Sequence, residues 1–124
     1  INTAGVTLAH GMEHPASGLK NIVHGQGLAA LTPVIIEASY KGNREKFSKI
    51  ARIMGGMTAE DCATKIRTLL KKLDLDCTLS DLGIKEEDIP WMAENCMKVS
   101  AAGVMNNPVV FLKEEIAEIY RKAL

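Results

Sequence analysis

Three histidines, His10, His14 and His24, gather in the stretch "AHGMEHPASGLKNIVHGQG" at residues 9–27, and they are all the histidines the chain has. Neutral imidazole is a good donor to iron, zinc and similar ions. His10 and His14 are four residues apart, so on a helix their rings leave one face about one turn apart, near enough to address a single ion. His24 would arrive from the start of the next helix. The glycines at 11, 18, 25 and 27 permit close backbone approach to an ion, a cofactor or a neighbouring helix. Spacing leaves two readings open: a metal held by some or all of the three rings, or histidines that sit on a helix surface or line a core. Glu13 stands directly before His14 and outside the H-E-x-x-H register, so a metalloprotease would lack its base. Spacing assigns Glu13 no role.

The elements that must position these rings read as helices. "NTAGVTLAHGMEH" has helix-compatible spacing, with Asn2 or Thr3 as caps and Pro15 expected to end or bend the helix just after His14. From Gly25 to Ile36 nearly every face is apolar, the mark of a helix in the middle of a domain, and Pro33 is expected to kink it. Phe47, Ile50, Ala51 and Met54 form a further helix that the glycines at 55 and 56 stop. Thr58 and Asp61 resemble a capping box, with a stripe through Ala59, Cys62, Ala63, Ile66, Leu69, Leu70 and Leu73. Residues 73–84 read as a loop, after which Ile89, Met92, Ala93, Cys96 and Met97 resume helical spacing, with Trp91 expected to pack. After "NNP" at 106–108, Ile116, Ile119, Tyr120 and Ala123 form the last apolar face. No period-2 alternation or repeat is present, so the expected fold is an all-α helical bundle forming a single domain over 1–124.

Composition narrows the classes. The chain has 124 residues, 47% of them hydrophobic, enough for one domain with its own core. Fifteen Lys and Arg balance fifteen Asp and Glu, and aromatics are 4%, so nucleic acid is not an expected partner. No apolar run reaches the roughly 20 residues of a membrane span. Cys62, Cys77 and Cys96 are odd in number and lack ligand spacing; free thiols in a reducing cytoplasm are the expectation. The chain opens on Ile1 rather than Met, and a piece of a longer protein is expected.

"NTAGVTLAHGMEHPASGLKNIVHGQGLAALTP" resembles the signature of the iron-containing (group III) alcohol dehydrogenases: A-G, then G-x-x-H-x-x-x-H-x-x-(G/S), then H-G before a long apolar helix that ends near a proline. Ala4 and Gly5 begin the match, His10 and His14 keep the four-residue step, and His24-Gly25 follows fourteen residues after His10. "LGIKEEDIPWMAENCMK" and "NNPVVFLKEEI" resemble the family's later helices, so the likeness covers essentially the whole chain. Three positions depart from the pattern. Ala16 stands where a larger apolar residue is common, Val23 replaces a proline before His-Gly, and Leu112 occupies the place of a threonine that caps the last helix. The first two are expected near the pocket.

The resemblance implies the C-terminal helical domain of a dehydroquinate synthase-like, iron-containing alcohol dehydrogenase fold, with an N-terminal nucleotide-binding α/β domain absent here. It implies His10 and His24 as two ligands of a divalent ion, Fe2+ first and Zn2+ second. The other two ligands are an Asp and a His spaced D-x-x-x-H, which the chain lacks. It places His14 near the ion and the nicotinamide as a catalytic residue rather than a ligand. It further implies NAD(P) bound by the missing domain, a small alcohol or aldehyde as substrate, and a cytoplasmic homo-oligomer for the full-length enzyme. Glycerol dehydrogenases and dehydroquinate synthases share the metal-on-helices plan and remain an alternative within the superfamily. A helical interaction module without catalysis is the alternative outside it.

Overall fold

A computed structural model describes residues 3–124, which contain helices and turns but no strand. The helices are α1 (Leu8–Lys20), α2 (His24–Ser39), α3 (Arg44–Ile53), α4 (Asp61–Lys72), α5 (Ile89–Val99), α6 (Ala101–Met105) and α7 (Lys113–Lys122). Short 3-10 turns at Tyr40–Asn43 and Glu86–Asp88 lead into α3 and α5. α1 packs against α2, α5 and α6, while α2 also reaches α4 and α7. One core joins Leu8, Met12 and Ala16 of α1 to Leu31, Val34 and Ile35 of α2 and to Ile89, Met92, Cys96, Ile116 and Tyr120. Burying these side chains supplies roughly 1.5–3 kcal/mol for each large one. The all-α fold is as the periodicity predicts.

The first helix begins later and ends later than expected. Thr3 lies in a turn, and the extended Thr7 is the N-cap, without a side-chain bond. Asn2, the other expected cap, lies outside the described residues. Pro15 neither ends nor interrupts α1, which runs through it to Lys20. A proline inside a helix removes its own N–H toward the carbonyl four residues back, here that of Gly11, and its ring crowds that carbonyl. That loss is offset where the helix is held from outside: Leu8, Met12, Pro15 and Ala16 are buried, and the buried Tyr120 hydroxyl donates to the Met12 carbonyl at 2.5 Å. The stop is Asn21. It adopts the left-handed conformation (φ 54°), its N–H bonding the Ser17 carbonyl at 2.8 Å, a conformation asparagine tolerates better than most residues. Pro33 is likewise enclosed in a continuous α2.

Three other expectations change in detail. The Asp61 carboxylate accepts the Thr58 and Met57 N–H groups at 2.9 and 2.8 Å, so half of the capping box forms and α4 itself starts at Asp61. Its apolar stripe is buried only at the N-terminal end, where Cys62 and Ala63 meet the core; Leu69 and Leu73 are exposed. Trp91 does not pack inside. It is exposed because α5 turns Ile89, Met92, Ala93 and Cys96 inward and Trp91 falls on the opposite side. Cys62, Cys77 and Cys96 are free thiols, and burial pushes the Cys96 thiol up to about 11.

Leu112 is the N-cap of α7, extended (φ −76°, ψ 165°) and without a side-chain cap bond. Glu115 reaches back to its N–H at 2.8 Å, which is half of a capping box waiting for an acceptor at Leu112. Leu112→Thr is expected to supply the acceptor and raise stability by about 0.5–1 kcal/mol. Urea denaturation read by circular dichroism checks this; an unchanged or lower midpoint would count against the missing cap.

Candidate metal centre

α1 and α2 meet across a three-residue link, Asn21 to Val23, and this junction is what brings the histidines together. His10 and His14 lie one turn apart on α1, and His24 is the first residue of α2. One nitrogen from each ring lies within 4.8 Å of those of the other two. Two donors each about 2.1 Å from a shared ion stand no more than about 4.2 Å apart, so the cluster is within small ring rotations of a coordinating arrangement. The rings are not equivalent. His10 and His24 have the closest centroids, 5.0 Å, while His14 is 5.9 Å from His10 and 5.6 Å from His24. His10 is half-buried, and His14 and His24 are exposed. Among the described residues this is the cluster suited to a metal ion.

The electrostatics favour a neutral ring at His10. Burial, then the charges of His24 and His14, hold the His10 pKa below the ordinary 6.5, with Glu13 pulling weakly the other way. A neutral imidazole keeps the lone pair that a metal or a proton needs. The donor set, three imidazoles open to solvent on one side, fits a borderline ion such as Fe2+ or Zn2+.

Glu13 is the residue that spacing missed. Its side chain is fully buried, and its carboxylate accepts hydrogen bonds from His24 Nδ1 and from Ser17 Oγ. No motif at the level of sequence marks it, because its partners lie four and eleven residues away on both sides of a helix junction. The glycines divide. A Cβ at Gly11 would meet Ser100 Cβ at 3.1 Å and one at Gly27 would meet Glu13 at 2.8 Å, whereas nothing lies within 4 Å of Gly18 or Gly25. Ala16 does not line an opening near the histidines; it is fully buried in the core, while Val23 is exposed as the N-cap of α2.

Against known proteins, the whole chain, residues 1–124, matches the family described as the Fe-containing alcohol dehydrogenase family, C-terminal. The chain belongs to that family. Among iron-containing alcohol dehydrogenases and their relatives, it is 36% identical over 131 residues to a 1,3-propanediol dehydrogenase of Klebsiella pneumoniae, covering 99% of this chain and 33% of that protein. It is 31% identical to a lactaldehyde reductase of Escherichia coli K12, covering 99% of this chain and 34% of that one. The solved alcohol dehydrogenase of Oenococcus oeni superposes with a TM-score of 0.88 at 30% identity, covering 99% of this chain and 34% of that chain. The chain therefore spans about a third of the length of the curated relatives it matches. Among the described residues no helix is long and apolar enough to cross a membrane.

Proposed function

We propose that the chain is the metal-binding part of an NAD(P)-dependent dehydrogenase that interconverts a small alcohol and its aldehyde or ketone. The observation that carries this is the meeting of His10 and His24 at a 5.0 Å centroid distance in a chain of the iron-containing alcohol dehydrogenase family. His10 and His24 would hold a divalent ion, with two further ligands and the nucleotide-binding fold supplied by the remainder of a longer protein. Iron ranks first by family, and zinc suits the same imidazole donors. When bound, such an ion polarises the alcohol or carbonyl oxygen and stabilises negative charge on it.

The chain's own side chains divide the remaining work. His14 is exposed and one turn from His10, so its ring would be open to a bound substrate and would take the proton of the alcohol hydroxyl during oxidation. In the reverse direction it returns that proton. α1 and α2 bury Leu8, Met12, Leu31 and Val34 in the core, which holds the two helices that carry the rings in fixed register. The packed helices set distance and aim, a requirement for hydride transfer.

With two of four ligands, the 124 residues alone are expected to fold as helices, to bind Zn2+ or Fe2+ weakly, and to lose it on dialysis against a chelator. They are expected to form no NAD(P)H from alcohol. Circular dichroism, elemental analysis before and after dialysis, and absorbance at the nicotinamide band check this. Stoichiometric metal that survives the chelator would contradict two-histidine ligation, and turnover would contradict the division of labour.

A further inference from the structure

A glutamate is sealed behind the histidines. Glu13 has a fully buried side chain, a costly place for a carboxylate unless its oxygens find donors. Both do: Oε1 accepts from Ser17 Oγ and Oε2 accepts from His24 Nδ1. The seat exists because residue 27 is glycine. A Cβ there would lie 2.8 Å from both Cγ and Oε1 of Glu13 and 3.2 Å from Cδ, below what atoms tolerate. Glu13 on α1 and Gly27 on α2 are thus complementary, the carboxylate filling the space that the missing side chain leaves.

We propose that Glu13, seated against Gly27, is a positioning residue that fixes His24 as the Nδ1–H tautomer with Nε2 left free for the ion. The proposal rests on His24 being a ligand. A carboxylate only accepts, so the ring nitrogen facing it donates; a neutral imidazole has one N–H, and the lone pair then belongs to Nε2. His24 is anchored at its inner edge while its side chain remains 46% exposed, so one nitrogen is spent on the protein and the other faces outward. Carboxylates that orient ligating histidines typically contribute 10- to 100-fold to metal affinity. Glu13 touches no substrate in this scheme and acts through His24.

Two readouts on the full chain test it. Long-range 1H–15N correlation, recorded metal-free above the ordinary histidine range, reads the His24 tautomer, and competition with a zinc-binding dye reads Zn2+ affinity. Wild type is expected to be Nδ1–H. Glu13→Ala is expected to release the tautomer and weaken Zn2+ by about 10- to 100-fold. Gly27→Ala, which displaces the carboxylate while keeping Glu13, is expected to do the same, and the double variant to be no weaker than either single one. Glu13→Gln retains an accepting oxygen and is expected to restore the tautomer and most of the affinity. Gly27→Ala removes no group, so it carries the test if Glu13→Ala does not fold. Unchanged Zn2+ affinity in a folded Glu13→Ala or Gly27→Ala, or additive losses in the double variant, overturns the proposal while leaving the ligand reading intact. Unchanged affinity in His24→Ala overturns the ligand reading instead.

Discussion

Replacing His10 or His24 with alanine in a full-length enzyme carrying this domain is expected to empty the metal site and abolish alcohol oxidation together. A zinc site of four protein ligands is worth about 10–16 kcal/mol in favourable cases, so one ligand accounts for roughly 3 kcal/mol, or more than about 100-fold in affinity. The two losses should coincide because the ion both gathers the substrate oxygen and stabilises its charge. His24 is expected to be the more sensitive position. Removing it also leaves the fully buried Glu13 carboxylate with one oxygen that has lost its donor, and a buried charge short of a donor costs stability as well as metal. Thermal denaturation beside elemental analysis separates the two: His10→Ala should lose metal with little change in the metal-free melting temperature, and His24→Ala should lose both.

His14→Ala is expected to behave differently, retaining most of the metal while turnover falls by about 100-fold or more, the usual contribution of a positioned acid or base. The geometry that sets it apart is modest but consistent. His14 is the ring farthest from its neighbours, 5.9 and 5.6 Å away against 5.0 Å for the other pair, and it is exposed. The pH–rate profile should change shape along with the rate, because a proton-transfer group has been removed. An emptied site in His14→Ala would return the account to three ligating histidines, the reading that spacing alone leaves open.

How much of this was legible in the sequence depends on the range of each interaction. The helices came from local periodicity: the faces of α5 and α7, Ile89 with Met92 and Cys96, and Ile116 with Tyr120, are buried as their spacing predicts. The histidine cluster was legible because two of its members share a helix turn and the third follows a short link. What failed was tertiary. Pro15 reads as a terminator, yet packing on both sides and the Tyr120 hydroxyl on the Met12 carbonyl hold α1 together through it. Trp91 reads as core by type, but register places it outside. Leu69 and Leu73 read as part of one buried stripe, but both are exposed.

Glu13 is the most instructive miss. Beside His14, spacing gives it no role, because the register that would have marked it, H-E-x-x-H, is not met. Its significance appears only when α2 folds back and presents Gly27 and His24 to the same carboxylate. A glycine facing a buried acid is a signal that two helices must be superposed to see. Leu112, by contrast, was recognisable from resemblance alone, and it stands at the N-cap of α7 with an extended backbone and no side-chain cap bond.

In the proposed site His10 and His24 bind the ion and His14 does not. The most direct measurement is a crystal structure of the metal-loaded full-length enzyme, with the ion located by anomalous scattering and its distance taken to each ring. Ring nitrogens of His10 and His24 are expected at bonding distance, about 2.0–2.1 Å for zinc, with Nε2 the coordinating atom of His24 and His14 beyond bonding reach. An ion bonded to His14, or one held without His10 or His24, would contradict this assignment.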